Sequence, residues 1–175
     1  RAGFWDRGHA YQRRTADQLN ARNQPVTVRP FYASDLPNVQ ALYTAESARG
    51  RYLIERDEAT WTWQLDHLIS SGRYHTDDFL VAEAESQLVA YVRLIAGCDV
   101  NWFLAEDAAC FNVVEVAGDH PDAVEALLAE VGAIATRVQA ERIGLFVPHD
   151  SAFMRHALAR GATARAFTGA AALHL

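Results

Sequence analysis

The stretch Phe111-Asn-Val-Val-Glu-Val-Ala-Gly-Asp-His-Pro-Asp-Ala-Val-Glu-Ala-Leu-Leu128 changes its period halfway along. Its first seven residues, Phe111 to Ala117, read as a strand. From Pro121 the apolar positions fall at Val124, Leu127, Leu128, Val131, Ile134, Ala135 and Val138, the spacing of one face of a long helix. A strand that enters a long amphipathic helix through Gly118-Asp-His-Pro121 requires a sheet with a helix packed on it.

The segments on either side extend this pattern. Phe79-Leu-Val-Ala-Glu83 and Leu88-Val-Ala-Tyr-Val-Arg-Leu-Ile95 flank a turn at Glu85-Ser86-Gln87 and predict an antiparallel hairpin. A loop over 97–109 joins it to the strand at Phe111. Upstream, Val26 to Pro30 alternates as a short strand. Asp35 is placed to cap a helix carrying Leu36, Val39, Leu42 and Tyr43, and a second helix runs over 57–69 with Trp61, Leu65, Leu68 and Ile69 on one face. Trp63 points elsewhere, since positions two apart do not share a helix face. Downstream, Arg142 to Val147 reads as a buried strand. Asp150 or Ser151 caps a short helix that Gly161 ends, and 163–167 with 170–175 form a closing pair of strands. Residues 1–24 read as a polar, Arg-rich helical or irregular extension, with a linker over 20–25. The order is β-α-α-β-β-β-α-β-α-β-β, without internal repeats.

Composition narrows the function. The 175 residues are 50% hydrophobic, enough for one domain with a sizeable core. A net charge of -6 opposes nucleic-acid and anionic-membrane binding. All 16 basic residues are arginine. The chain begins at Arg1 and its one methionine is Met154, so it reads as a fragment or a processed chain. Cys98 and Cys110 are too few for a disulfide scaffold. They read as reduced thiols, with a pairing across a hairpin left open. The seven histidines show no metal-ligand spacing. Ser151 with Asp150 and His149 or His156 contains the letters of a hydrolase triad but crowds one helix start without a G-x-S-x-G elbow, so Ser151 reads as a cap. Trp63 and Trp102 stand off the apolar faces and point to a lid, a ligand wall or a protein interface.

Over 25–175 this order resembles the GNAT (GCN5-related N-acetyltransferase) superfamily. Val26-Thr-Val-Arg-Pro-Phe-Tyr-Ala-Ser-Asp-Leu-Pro37 is similar to its opening strand and helix, and Phe79–Glu83 with Leu88–Leu94 to its central hairpin. Arg56-Asp-Glu-Ala-Thr-Trp-Thr-Trp63 resembles the second half of tandem members. The resemblance implies an α+β fold layered α/β/α, with a mixed, mostly antiparallel sheet flanked by helices. It also implies a GNAT-like domain over 25–175, acetyl-CoA as cofactor, a small amine as acceptor and a cytoplasmic setting. Its partners would be a preceding GNAT domain, joined through 1–24, or a second copy.

The resemblance also places the site, and there this chain departs from it. The family's CoA loop, of type Q/R-x-x-G-x-G/A, falls on Val116, Gly118, Asp119 and His120. This chain has no second glycine there and no Arg or Gln at the required spacing. Pro121 removes one donor, and Asp119 or Asp122 is placed to cap the helix with a carboxylate. Such a charge stabilises a helix start by ~0.3–1 kcal/mol and repels a pyrophosphate. The family's acidic tyrosine, four residues before the glycine of its last helix, falls on Ala157. Glu115 matches the strand that carries a general base in several members, and an ion pair with an arginine such as Arg93 is its other reading.

Three functions fit. The first is a catalytically degenerate C-terminal half of a tandem acetyltransferase. The second is an active N-acyltransferase with Glu115 as base and phosphate donors from elsewhere, such as Arg137 or Arg142. The third is a binding module for a small cationic or amine ligand, or a protein, using the carboxylates at 99, 106 and 107.

Overall fold

The structure, a computed structural model, describes residues 2–6, 25–50, 55–70, 78–96, 110–140 and 142–164. These form seven strands and four helices. In chain order they are β1 (Ala2–Asp6), β2 (Thr27–Pro30), α1 (Leu36–Ala48), α2 (Glu58–Ser70), β3 (Phe79–Ala84), β4 (Gln87–Ala96), β5 (Cys110–Ala117), α3 (Pro121–Arg137), β6 (Arg142–Phe146), α4 (Ala152–Ala159) and β7 (Thr163–Ala164). One mixed sheet runs β2-β3-β4-β5-β6-β1-β7. The α+β class and the layering expected from sequence both hold.

Pleating sorts the sheet residues between two helical layers. On one face Leu80, Ala82, Val92, Leu94, Val113 and Val116 pack against α3 and α4. On the other, Phe79, Val81, Tyr91 and Ala117 meet Val39 and Tyr43 of α1 and Trp61 of α2. The period read from Val124 onward holds through Ala135, since Val124, Leu127, Leu128, Val131, Ile134 and Ala135 are all buried, but Val138, expected on the same face, lies just past the helix end and is half exposed. Each such side chain contributes roughly 1.5–3 kcal/mol of burial free energy.

Two details of the strands shape the site. The β3–β4 turn places Glu85 and Ser86 at φ 51° and 63°, the sense required of a two-residue hairpin turn. On β5 the register slips at Val114: Glu115 stands opposite Arg93 and Val113 opposite Leu94, leaving one extra residue as a bulge. β5 pairs in parallel with β6 from Cys110 to Val113, so the ladder ends where that bulge begins.

Three expectations are corrected. Ala2–Asp6 is neither helical nor irregular. It is a strand between β6 and β7, antiparallel to both, so the first residues are part of the sheet. Asp35 stands at the N-cap position of α1, but its side chain makes no capping hydrogen bond to that helix. A single 3-10 turn, Ala33–Asp35, precedes that helix. There the Asp35 carboxylate accepts from the Tyr32 backbone N–H at 2.8 Å and pairs with Arg29 at 2.7 Å. Arg29 also reaches Glu83, so the family-like Val-Arg-Pro segment uses its arginine to tie the opening strand to the hairpin. The third concerns the start of α3 and is treated with the site. Residues 97–109, the whole of 7–24, and 165–175 lie outside the described residues. The expected loop, the linker and most of the closing strand pair therefore fall there, as do Cys98 and Trp102.

Candidate functional site

The site expected from sequence lies where β5 turns into α3, together with the middle of β5. Gly118 makes the turn at φ +97°. A Cβ there would collide with the Val89 carbonyl and with Ala90 on the neighbouring strand. Its glycine is therefore explained by the close passage of the chain over the hairpin. Val116 puts its side chain in the core against α3.

The start of α3 is closed by its own residues. Neither Asp119 nor Asp122 caps it. The cap is His120, whose Nδ1 accepts from the Ala123 N–H in a long bond of 3.4 Å. The His120 carbonyl takes the Val124 N–H at 3.0 Å, and Pro121, at the first helical position, has no N–H to offer. Of the four amides that a helix start normally leaves free, those of residues 120 to 123, one is missing at Pro121 and one, that of Ala123, is committed to the cap. Asp119 turns instead to Arg49 just past the end of α1, with Oδ2 3.3 Å from Nη1, and the same Nη1 donates to Glu46 at 2.9 Å. A carboxylate thus stands in front of the helix start and holds the nearby cation. Arg137 is on the last turn of α3, about 25 Å along its axis from Pro121. Arg142 opens β6 opposite Cys110, at the far end of β5 from Ala117. Neither reaches the α3 start.

Glu115 faces α1 and α2 and is 5% exposed. Its carboxylate is bound on three sides. Arg56, just before α2, donates from Nη2 to Oε2 at 2.6 Å; Tyr91 of β4 donates its hydroxyl to Oε1 at 2.9 Å; and Arg93 approaches Oε1 at 3.7 Å. The ion pair with Arg93 is present, with a stronger one from Arg56 beside it. Burial by itself would push the carboxyl up. The charges of Arg93 and Arg56 and the hydrogen bonds from Arg56 and Tyr91 outweigh it and hold the carboxyl below its ordinary value. A base for an amine near neutral pH needs the opposite shift.

In α4, Ala157 is fully buried and carries no proton. Ser151 caps the helix, accepting from the Met154 N–H at 3.1 Å, as its sequence position implied. His156 lies 3.1 Å from Glu125 of α3, and Arg160 pairs with the same carboxylate; the three tie α4 to α3. No group of three or more potential metal ligands occurs among the described residues, and no helix there is long and apolar enough to cross a membrane. Trp61 is buried and Trp63 is 59% exposed, so the helical periodicity separated them.

Sequence reasoning missed Arg49, Arg56 and Tyr91. Arg56 opens the segment that resembles tandem members, and Tyr91 lies in the quoted hairpin. The long-range signal was one acid on an apolar strand, which requires a cation from elsewhere in the chain.

No protein-family model matches the chain, and no curated protein sequence matches it. Solved structures do. A ribosomal-protein-alanine N-acetyltransferase from Brucella melitensis biovar Abortus 2308 superposes with a TM-score of 0.55 at 16% identity, over 83% of this chain and 96% of that one. A GCN5-related glucosamine N-acetyltransferase region of a fungal multi-domain GH3 β-N-acetylglucosaminidase gives 0.51 at 10% identity, over 89% of this chain and 19% of that one. N-acetylglutamate synthase from Neisseria gonorrhoeae, solved with coenzyme A and N-acetyl-glutamate, gives 0.49 at 19% identity over 71% of this chain. The chain spans about a quarter (26%) of that synthase. The fold is the GNAT acyltransferase fold.

Proposed function

We propose that this chain is a GNAT-fold domain without acyl transfer of its own, the C-terminal half of a tandem acetyltransferase. Solved GNAT-fold enzymes hold coenzyme A, so acetyl-CoA is the ligand against which the reading is measured. The observation that carries it is the closed start of α3. His120 and Pro121 take away amides a pyrophosphate would use, and Asp119 occupies Arg49 beside them. Two further features agree with it. Glu115 is fixed between two guanidiniums with its basicity lowered, and the position to which the resemblance assigns the acid for the leaving thiolate is Ala157. Acyl transfer requires both proton movements, one from the amine and one to the sulfur.

In a tandem protein such a domain supplies packing, an interface and part of an acceptor pocket to its active neighbour. The exposed Trp63 on α2 is a candidate for that interface. Acetyl-CoA calorimetry on the chain tests the reading. No heat at millimolar ligand is expected, and the double variant Asp119→Gly/Pro121→Gly is expected to gain weak binding by freeing Arg49 and restoring a donor. Micromolar binding by the unaltered chain would return the active-enzyme reading, with Glu115→Gln as the next variant.

A further inference from the structure

The slot between β6 and β7 is filled by the first segment of the chain, although the last segment is the one that adjoins it in sequence. β1 lies in that slot antiparallel to both neighbours, so β6 and β7 run the same way. A strand that folded back from β7 would be antiparallel to β7. On the inner edge of β7 it would be antiparallel to β6 as well. The two ends of the chain therefore suit one slot in one direction.

Their registers also agree. Gly3 and Phe4 stand opposite Ala164 and Thr163. A two-residue turn at Thr168-Gly169 would set Leu173 and His174 opposite those same residues, and so put 172–175 in the places of 2–5. On β6, Leu145 and Ile143 are the partners of Gly3 and Trp5 and belong to the core beneath α3 and α4. In the other pairing they would meet Leu173 and Leu175, two apolar residues at the strand period on that same face. One occupant is required. Ile143, Gly144 and Leu145 are buried, and a buried strand does not leave its edge unpaired.

The occupants are favoured by different terms. β1 brings Phe4 and Trp5, residues of high strand preference, and sets Asp6 opposite Arg142. It is joined through 7–26 to β2, at the far edge of the sheet. The last segment needs only a short turn from β7, and by length alone that closure is favoured roughly tenfold. We propose that the slot is shared by Ala2–Asp6 and residues 172–175, which displace one another, so that the N-terminal strand is a releasable clamp. When it leaves, the chain ahead of β2 is freed as one unit while β6 keeps a partner. This device does not depend on the tandem reading or on whether the α3 start holds acetyl-CoA.

The test is a double-variant cycle on the full chain, read by chemical denaturation. Proline inside a central strand removes a ladder donor and is poorly tolerated there. Phe4→Pro disables one occupant, and His174→Pro disables the other at the equivalent place. Each single variant is expected to stay folded with a modest fall in midpoint, because the other segment fills the slot. The double variant is expected to fall by more than the two single shifts combined. Occupancy is read directly by disulfide trapping in a Cys98→Ser/Cys110→Ser background. Phe146→Cys is expected to form an intrachain bond with Ala2→Cys in one protein and with Ala172→Cys in another. Unfolding by Phe4→Pro alone would overturn the proposal, as would additive shifts or trapping of only one of the two pairs.

Discussion

The two faces of one sheet are built on opposite plans. Toward α3 and α4, Leu80, Val92, Leu94 and Val113 close on Leu127, Leu128, Val131 and Leu145 in a continuous apolar core. Toward α1 and α2 the apolar cluster is smaller, and aromatic rings there surround buried ions: Arg56 lies over Tyr43 and Trp61, Arg93 over Phe79, and Glu115 between the two arginines. Apolar packing is non-directional and tolerates substitution of similar volume. A buried charge cluster is directional, and it holds only while every member keeps its partner. One face therefore carries the stability of the domain. The other fixes particular side chains in place.

The largest effects test that contrast directly. Glu115→Ala leaves two buried guanidiniums without their shared acid and is expected to cost about 3–5 kcal/mol in chemical denaturation. Leu127→Ala, on the apolar face, is expected to cost about 2–5 kcal/mol through a cavity. Acid titration separates the two. Glu115 has a folded pKa below its ordinary value of 4.5. Its stabilisation is therefore complete above pH 4.5 and is lost as the pH falls through the folded value. Asp35, lowered by its bonds with Arg29, adds loss over the same acid range. Stability followed from pH 6 downward is expected to fall less steeply in Glu115→Gln than in the parent, while Leu127→Ala keeps the parent slope. Equal slopes in all three proteins would show that the ionic face does not behave as ionised in the folded state.

A second test has the opposite sign. Asn112 shares the pleat face of Glu115 and is fully buried, yet neither its Oδ1 nor its Nδ2 has a partner. A Cβ on Gly144 of β6 would collide with that Oδ1, so the glycine makes room for the amide. Replacing an unpaired buried polar group by an apolar one of similar shape removes a penalty of about 1–3 kcal/mol. Asn112→Val is expected to stabilise the domain by up to about that amount, read as a raised denaturant midpoint at constant m-value. A destabilised Asn112→Val would mean that the amide is paired in solution.

The sequence could be read where the determinants are local. The turn from β5 to α3 and the stripe from Val124 to Ile134 follow from periodicity alone, and Ser151 from cap chemistry. β1 was not legible. Ala2-Gly-Phe-Trp-Asp6 is only five residues long, and its partners Arg142–Phe146 and Thr163–Ala164 lie more than 130 positions away, so no local pattern encodes the pairing. The cap of α3 was misread for a different reason. Asp is a favoured cap, and both Asp119 and Asp122 flank the start, but Asp119 is drawn to Arg49, and the imidazole of His120 takes the amide. Glu115 could be seen as an acid in an apolar strand. That its main partner is Arg56, 59 residues earlier, is a fact of tertiary packing.

The smallest expected effect concerns the pair with the largest consequence for the proposed function. Arg49 and Asp119 are 45% and 59% exposed, and an ion pair in that setting contributes about 0–1 kcal/mol. Asp119→Ala is therefore expected to leave the denaturation midpoint nearly unchanged. Its effect falls on charge at the α3 start: one carboxylate is gone, and Arg49 keeps its ion pair with Glu46. Inorganic pyrophosphate, titrated by calorimetry at low salt, is expected to bind Asp119→Ala measurably more tightly than the parent chain, with the gain screened away as ionic strength rises. Equal weak binding by both proteins would place the closure of this helix start in His120 and Pro121, where the amides themselves are lost. Opening it would then require backbone chemistry, because removing one repulsive charge is not enough to create donors.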